Sequence, residues 1–273
     1  MSSMASSRLD SLLEPISQVL ATSFSLSHLP AYFGTVLLSA IGFHVVESFS
    51  GPISSYLFPR TYSSLQRGAR KSWDLHVVSL VHALIIIPLA LRAKLNQSPE
   101  LEGDKAFGWD PALGDVFGIS TGYFAWDSVQ SCIAFTDFGF VAHAILCFMI
   151  YANIYHPFLA YYGATFLLWE LSTPFLDFHW FLDKFGMTGG NLQLVNGIIL
   201  ITTFFGVRII YGGYNSIDVF YTMQSIRDQI PFTLYVIFGI GNVLLNVLNW
   251  FWFSKMIRAL LKRFPKQVNG GIK

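Results

Sequence analysis

The chain has 273 residues, of which 53% are hydrophobic and only 12% are Asp, Glu, Lys or Arg, against about 25% charged residues in a typical soluble domain. So few charges cannot cover the surface of a soluble protein of this size, and the mean hydropathy of +0.51 is typical of a membrane-embedded chain. The net charge of +1 also gives no electrostatic footprint for nucleic acid.

Seven apolar stretches predict an all-α integral membrane protein, a bundle of about seven transmembrane helices. A bilayer core of about 30 Å needs about 20 mostly apolar residues per helix. Before the first stretch, the repeat of Leu9, Leu13, Ile16 and Leu20 predicts a short helix lying in the membrane interface. In chain order the stretches cover residues 29–49, 73–91, 116–135, 138–155, 158–176, 194–210 and 232–256. Acidic residues interrupt the third, fourth and fifth, so their limits are less sharp than those of the other four.

Basic residues predict the orientation, because cytoplasmic loops carry the excess of Lys and Arg. One side of the bundle collects Arg60, Arg67, Arg70, Lys71, Lys184, Lys255, Arg258, Lys262, Arg263, Lys266 and Lys273. The other side collects Arg8, Arg92, Lys94, Lys105, Arg208 and Arg227, with Arg208 at the outer end of the sixth span. We therefore expect the N-terminus outside and the C-terminus in the cytoplasm.

The same features divide the chain into four segments. Residues 1–28 form a polar or interfacial N-terminal segment, and residues 29–66 form the first transmembrane helix with its basic loop. Residues 67–256 form the main transmembrane domain. Residues 257–273 form a basic cytoplasmic tail.

Polar residues inside the spans are the most informative feature, since an ionisable group at the bilayer centre costs about 2.5–3.5 kcal/mol on insertion scales. For His82, Asp127, His143 and Glu170 we favour a cavity that holds a lipid headgroup or a reacting acyl group. The alternative is that polar groups merely fasten helices together, and we favour that role for Asn242 and Asn246. For His44 and Glu47 both interpretations stay open.

Motifs of several other chemistries are absent from the sequence. His76 and His82 are six residues apart, which places them on different faces of a helix, and there is no HExxH metal motif. No GxSxG, P-loop or dinucleotide-binding glycine pattern occurs either. We therefore expect no metal and no bound cofactor.

Two stretches of the sequence resemble the TLC domain, which is shared by ceramide synthases, translocon-associated TRAM proteins and smaller multispanning proteins. The first is WDLHVVSLVHA, which begins at Trp73, followed by Gly122-Tyr123-Phe124 with Asp127. The second is ELSTPF at residues 170–175, followed by WFL, Asn196-Gly197 and Arg208. This order is more similar to the small TLC-domain subgroup than to the ceramide synthases, and it makes residues 67–256 a TLC-like domain.

The resemblance implies a helical bundle around a central lipid-accessible cavity, with a role in lipid synthesis, sensing or transport. Ceramide synthases carry a pair of adjacent histidines in one helix and transfer an acyl group from acyl-CoA to a sphingoid amine. Here only His143 stands at that place, between Ala142 and Ala144. The departure puts a ceramide-synthase mechanism in doubt.

Two functions follow as hypotheses. In the first, the protein binds or senses membrane lipid and contributes to lipid homeostasis, with His82, Tyr123, Glu170 and Asn196 binding the lipid. In the second, it is an acyltransferase that uses acyl-CoA as a co-substrate, with His143 as general base and Asp127 or Glu170 orienting it. We expect a membrane lipid as partner and an endomembrane location, in the endoplasmic reticulum or Golgi.

Receptor and transporter functions are disfavoured. A G-protein-coupled receptor would carry a DRY-like motif and NPxxY, and neither occurs. A secondary transporter would show paired broken helices in two internal repeats, and no repeat is visible.

Overall fold

Helices make up the fold in this computed structural model, which describes residues 2–263 and, from residue 12 onward, their side chains. No strand occurs among these residues. Lys266 and Lys273 of the expected basic tail, and the side chain of Arg8, lie outside the described part. The helices are α1 (Ser2–Phe24), α2 (Leu29–Leu57), α3 (Pro59–Tyr62), α4 (Arg67–Leu95), α5 (Pro99–Gly103), α6 (Pro111–Ile133), α7 (Phe138–Asn153), α8 (Ala160–Leu167), α9 (Thr173–Lys184), α10 (Asn191–Phe204), α11 (Gly212–Ser225) and α12 (Phe232–Arg263).

The prediction of an all-α membrane bundle is confirmed. Within the described residues, four helices are long and apolar enough to cross a bilayer: Leu29–Leu57, Arg67–Leu95, Asn191–Ser225 and Phe232–Arg263. They contain the first, second, sixth and seventh predicted spans. The shorter apolar helix Phe138–Asn153 corresponds to the fourth.

The predicted third and fifth spans take less regular forms. The third corresponds to α6, whose inward face carries small and polar residues, including Ser120 and Thr121. The fifth is divided into α8, a 3₁₀ turn at Leu168–Ser172 and α9. Asp137, which interrupts the apolar pattern, caps the start of α7 by accepting hydrogen bonds from the backbone N–H groups of Gly139 and Phe140.

The two ends of the bundle are distinguished by their contacts. At one end, the backbone N–H of His28 donates to the carbonyl of Tyr155 at 3.0 Å, and the His28 ring stacks on Trp109. At the opposite end, the rings of Phe58 and Phe185 pack 5.2 Å apart. The start of α2 and the basic end of α12, where Arg263 donates to the Gly190 carbonyl, therefore lie at opposite ends. An odd number of crossings requires this arrangement.

A row of glycines on α6 allows α2 to pack closely against it. A Cβ atom at Gly118 would lie 3.0 Å from the Thr35 methyl group, and one at Gly122 would lie 2.8 Å from the Ala40 backbone nitrogen. Small residues at four-residue spacing bring helix backbones together in membranes, where van der Waals packing drives association. This contact fixes the position of α6 within the bundle.

Gly122→Ala is expected to destabilise the protein by about 1–3 kcal/mol, the usual cost of overpacking. The new methyl group meets the backbone of α2 at Ala40 rather than a movable side chain. The measurement is the midpoint of unfolding in SDS-containing micelles. Gly42→Ala is the matched control, because a Cβ there meets nothing within 4 Å; an equal loss in both variants would contradict the packing argument.

Candidate functional site

Two irregular helical segments meet inside the bundle and bring an acidic and a basic side chain together. The first is the 3₁₀ turn Leu168–Ser172 and the second is a π-helical segment, Phe205–Tyr211, between α10 and α11. Glu170 on the first is 8% exposed and Arg208 on the second is 7% exposed. Such π-helical segments are frequent at functional sites, and here the segment places a charged residue inside an otherwise continuous apolar helix.

Pro174 explains the irregular geometry around Glu170. Proline has no backbone N–H and cannot continue the hydrogen-bond ladder of a preceding helix; here it occupies the first turn of α9. The chain before it tightens into a 3₁₀ turn, and the Trp169 carbonyl accepts a hydrogen bond from Arg208 Nε at 3.1 Å. Arg208 Nε also donates to Ser172 Oγ at 3.1 Å. The ELSTPF motif thus builds the turn that holds the arginine.

The Glu170 carboxylate lies between two partners without making a close hydrogen bond to either. Arg208 Nη2 is 3.8 Å from Oε1, and His82 Nδ1 is 4.0 Å from Oε2. The Thr173 hydroxyl is a hydrogen-bonding neighbour of the carboxylate. Distances near 4 Å permit electrostatic attraction but exceed hydrogen-bond length, so the carboxylate keeps acceptor capacity within the described structure.

His82 is fully buried behind this pair. Its ring stacks on Tyr123 with centroids 3.7 Å apart and an interplanar angle of 4°, while Phe43 and Phe124 meet it edge-on. Neither ring nitrogen has a hydrogen-bond partner among the described residues. The aromatic packing fixes the ring and leaves Glu170 as its nearest ionic neighbour.

A cavity between the helices opens onto Glu170 and Arg208. It contains about 720 Å³ of space not occupied by atoms, counting its opening. The centre of a water molecule can occupy about 60 Å³ of this space. A cavity needs about 10–15 Å³ on the same measure to hold one water, so this cavity has room for several. The wall includes Phe124, Ile154, Leu167, Phe238 and Leu245, and its polar members include His143, Cys147, Glu170, Arg208 and Asn242. The site is therefore an apolar chamber with one ion pair in its wall.

A second polar network lies where the cavity approaches the loop before α6. The Tyr162 ring lines the cavity, and its hydroxyl donates to Asp218 Oδ2 at 2.9 Å. Lys105 Nζ donates to the same oxygen at 2.8 Å, and this hydrogen bond raises the pKa of Lys105. The network ties α8, α11 and the loop together at this end.

His143 and Asp127, expected to act in acyl transfer, form no hydrogen bond or ion pair with each other within the described structure. His143 lines the cavity, where its Nε2 is 3.7 Å from Cys147 Sγ and its ring meets Trp252 edge-on. Asp127 is half-buried and is not part of the cavity wall. The structure brings no carboxylate into hydrogen-bond contact with His143 in the described part of the chain, and the catalytic assignments stay predictions.

Tyr123 and Asn196, expected to bind lipid, have contacts within the protein. Tyr123 is buried beneath His82. Asn196 Nδ2 donates to the Phe175 carbonyl at 2.8 Å, which ties α10 to the end of the ELSTPF motif. Of the predicted binding residues, Glu170 lines the cavity, whereas His82, Tyr123 and Asn196 lie outside its wall. Their role in binding stays a prediction.

The expected position of Arg208 is wrong. The sixth span was expected to end at residue 210 with Arg208 at the outer membrane face, but the helix continues to Ser225 and buries the arginine. The reason is pairing: a hydropathy window stops at a charge, whereas Glu170 and the Trp169 carbonyl satisfy this charge inside the bundle.

Sequence reasoning also missed the pair formed by Asp177 and His76. His76 Nδ1 lies 2.7 Å from Asp177 Oδ1, Asp177 is 1% exposed, and the His76 ring stacks on Trp180. Asp177 follows Glu170 by seven residues, a spacing that places two residues on one face of a helix. That spacing was the feature of the sequence that could have indicated a second buried carboxylate at Asp177. No group of three or more metal-ligating side chains occurs among residues 12–263.

Comparison with known proteins matches this chain to one domain family. The profile of the TLC domain matches residues 72–258. An uncharacterized TLC domain-containing protein of Schizosaccharomyces pombe is 38% identical, with 92% of this chain and 86% of that protein covered. TLC domain-containing protein 4 of Xenopus tropicalis is 30% identical, with 85% and 92% covered.

A third relative carries a different kind of name. Topoisomerase I damage affected protein 4 of Saccharomyces cerevisiae is 28% identical, with 89% of this chain and 88% of that protein covered. None of these three relatives is named as a ceramide synthase, which confirms the resemblance to the small subgroup. No solved structure matches the chain.

Proposed function

Since the chain belongs to the TLC-domain family and is a multi-pass membrane protein, we propose that it binds a membrane lipid in its central cavity and contributes to membrane lipid homeostasis. The observation that carries this proposal is the apolar chamber with a buried ion pair in its wall. Binding sites for small molecules are mostly apolar, with a few polar groups that fix the ligand's orientation. The Glu170–Arg208 pair is such a group.

The cavity wall has an apolar part and a polar part, and their positions indicate how a lipid would lie. The aromatic and aliphatic side chains of Phe124, Ile154, Phe238 and Leu245 offer contact to an acyl chain, and burial of each methylene group contributes about 0.8 kcal/mol. The polar end of the lipid would then face Glu170 and Arg208. Because Glu170 and Arg208 lie within the predicted spans 158–176 and 194–210, we expect the acyl chain to enter the cavity without leaving an apolar medium.

We also place the protein in the endomembrane system, in the endoplasmic reticulum or Golgi. The resemblance to translocon-associated TRAM proteins supports this location. Co-localisation of the tagged chain with markers of these compartments would agree with it. A signal confined to the plasma membrane would contradict it.

The test of lipid binding is mass spectrometry of the purified protein. After exchange into mild detergent, the folded protein is expected to retain at least one lipid class in near-stoichiometric amount and to release it on denaturation. An unrelated multispanning protein purified in the same detergent controls for lipid carried by the micelle. Lipid content equal in both proteins would count against a built binding site.

A second candidate function is acyl transfer, favoured by the presence of His143 in the same cavity wall as Glu170. His143 would take the proton from a hydroxyl or amine as it attacks the thioester of acyl-CoA. The geometry supplies the histidine but places Cys147, rather than a carboxylate, beside it. Lipid binding without turnover accordingly has the stronger support.

Acyl transfer has a direct assay. Microsomes containing the protein, incubated with labelled acyl-CoA and a sphingoid base, are expected to form no product above the control microsomes. If product does form, His143→Ala should abolish it, whereas His44→Ala should not, because His44 is 65% exposed and lies outside the cavity. Turnover lost only in His143→Ala would establish the enzyme; turnover that survives would exclude His143 as the base.

A further inference from the structure

The charge balance of the cavity wall limits which lipids it can accept. Among the wall residues, the Asp, Glu, Lys and Arg side chains are Glu170 and Arg208 only, and they lie 3.8 Å apart. Asp177 is engaged with His76 outside the cavity, and Asp127 is not in the wall. The wall as a whole therefore carries no net charge from these four residue types.

A second observation concerns hydrogen bonding. The ionic neighbours of the Glu170 carboxylate, Arg208 and His82, lie 3.8 and 4.0 Å away, beyond hydrogen-bond distance, and the Thr173 hydroxyl is a hydrogen-bonding neighbour. Arg208 Nε is already occupied by the Trp169 carbonyl and the Ser172 hydroxyl. An ionised carboxylate can accept about four hydrogen bonds, so Glu170 keeps acceptor capacity and favours a ligand that donates to it.

Given the lipid binding proposed above, we infer that the cavity selects lipids whose polar group is uncharged and donates a hydrogen bond, a hydroxyl or an amide N–H. Such a group satisfies the Glu170 carboxylate and adds no charge to the chamber. Wall residues therefore determine the headgroup class, and the apolar surface accommodates the chain.

Lipids with a charged polar group are disfavoured for a simple reason. A fatty-acid carboxylate would leave one uncompensated negative charge beside Glu170, and a lipid amine would leave one uncompensated positive charge beside Arg208. Uncompensated charge in a low-dielectric site is expensive. The ion pair thus disfavours both anionic and cationic lipids. Glu170 alone would attract a cationic lipid, and Arg208 alone would attract an anionic one.

The experiment compares three ligands with one chain: oleyl alcohol, oleate and oleylamine. At about pH 8 the carboxylate is ionised and the amine is protonated. Each ligand competes with radiolabelled oleyl alcohol for purified full-length protein in lipid nanodiscs. Oleyl alcohol is expected to bind at least about tenfold more tightly than either charged ligand, because burial of one net charge in a membrane interior costs more than the equivalent of tenfold affinity.

Glu170→Gln gives the informative variant, because it keeps the size of the side chain and leaves Arg208 as an uncompensated positive charge. Its preference is expected to shift towards oleate by at least about tenfold relative to oleyl alcohol. Glu102→Gln is the matched control, because Glu102 is exposed and distant from the cavity wall, and its preference should equal that of the wild type. Size-exclusion chromatography shows whether each variant is folded.

The outcomes separate the inference from the proposed function. Equal binding of the three ligands, or tightest binding of a charged one by the wild type, would overturn the charge-selection inference while leaving lipid binding intact. No binding of any ligand would overturn lipid binding itself. If Glu170→Gln fails to fold, the relative affinities of the wild type for the three ligands still test the charge-selection inference.

Discussion

Arg208→Met is expected to reduce the folding stability by roughly 3–5 kcal/mol, the usual loss when one partner of a buried ion pair is removed. The substitution leaves the Glu170 carboxylate without its cation at 3.8 Å. It also removes the donor that the Trp169 carbonyl and Ser172 hydroxyl contact at 3.1 Å. Methionine fills much of the same volume, so the lost charge and hydrogen bonds dominate the effect.

The loss is measured as the shift of the unfolding midpoint in SDS-containing micelles. Arg258→Gln is the control, because Arg258 is exposed on the same type of apolar helix, and it should change stability by no more than about 0.5 kcal/mol. Combining Arg208→Met with Glu170→Gln should restore at least about 1 kcal/mol, since contacting charges are coupled. If Arg208→Met is as stable as Arg258→Gln, the Glu170–Arg208 ion pair does not contribute to the stability of the fold.

The second large effect is expected from filling the cavity. Leu245→Trp should reduce the lipid that co-purifies with the protein by about tenfold or more, because the larger ring occupies the space in which the acyl chain contacts the wall. Leu245 is 7% exposed and lines the cavity. Its neighbour Leu244 is 43% exposed and faces away from it, so Leu244→Trp adds the same bulk outside the cavity.

Lipid content per folded protein is measured by mass spectrometry for both variants after identical purification. Overpacking costs typically about 1–3 kcal/mol, so folding of each variant is checked by size-exclusion chromatography. Leu244→Trp is expected to keep the lipid content of the wild type. Equal lipid content in the two variants would mean that the lipid binds elsewhere.

The parts of the fold that depend on composition were predictable from the sequence. The first, second, sixth and seventh spans are long and apolar, and each corresponds to one of the four long helices. The membrane solvent makes this possible, because backbone groups in hydrocarbon must be satisfied within the helix itself. A run of apolar residues therefore has few alternatives to a helix.

The limits of the middle spans depended on contacts that a hydropathy pattern does not show. Asp137 interrupts the pattern because it caps α7. Pro174 divides the fifth segment by ending one helix and starting another. In both cases a polar or helix-breaking residue has a local backbone role.

The candidate site was predictable only in part. Glu170 was expected in a cavity because a carboxylate at membrane depth needs a function or a partner. Its partner Arg208 was placed at the membrane surface, because the pairing joins segments that are distant in the chain. The glycine row on α6 and the Asp177–His76 pair likewise depend on which helix faces which, and a single sequence does not contain that information.

Crosslinking with a photoreactive lipid shows directly whether a lipid occupies the cavity. Oleyl alcohol carrying a diazirine in its chain is added to membranes containing the protein, and the crosslinked peptides are identified by mass spectrometry. We expect crosslinks on cavity residues such as Cys147, Ile150 and Leu245, and excess oleyl alcohol should reduce them. Crosslinks confined to lipid-facing residues such as Val243 and Val247, which are 61% and 57% exposed, would contradict it.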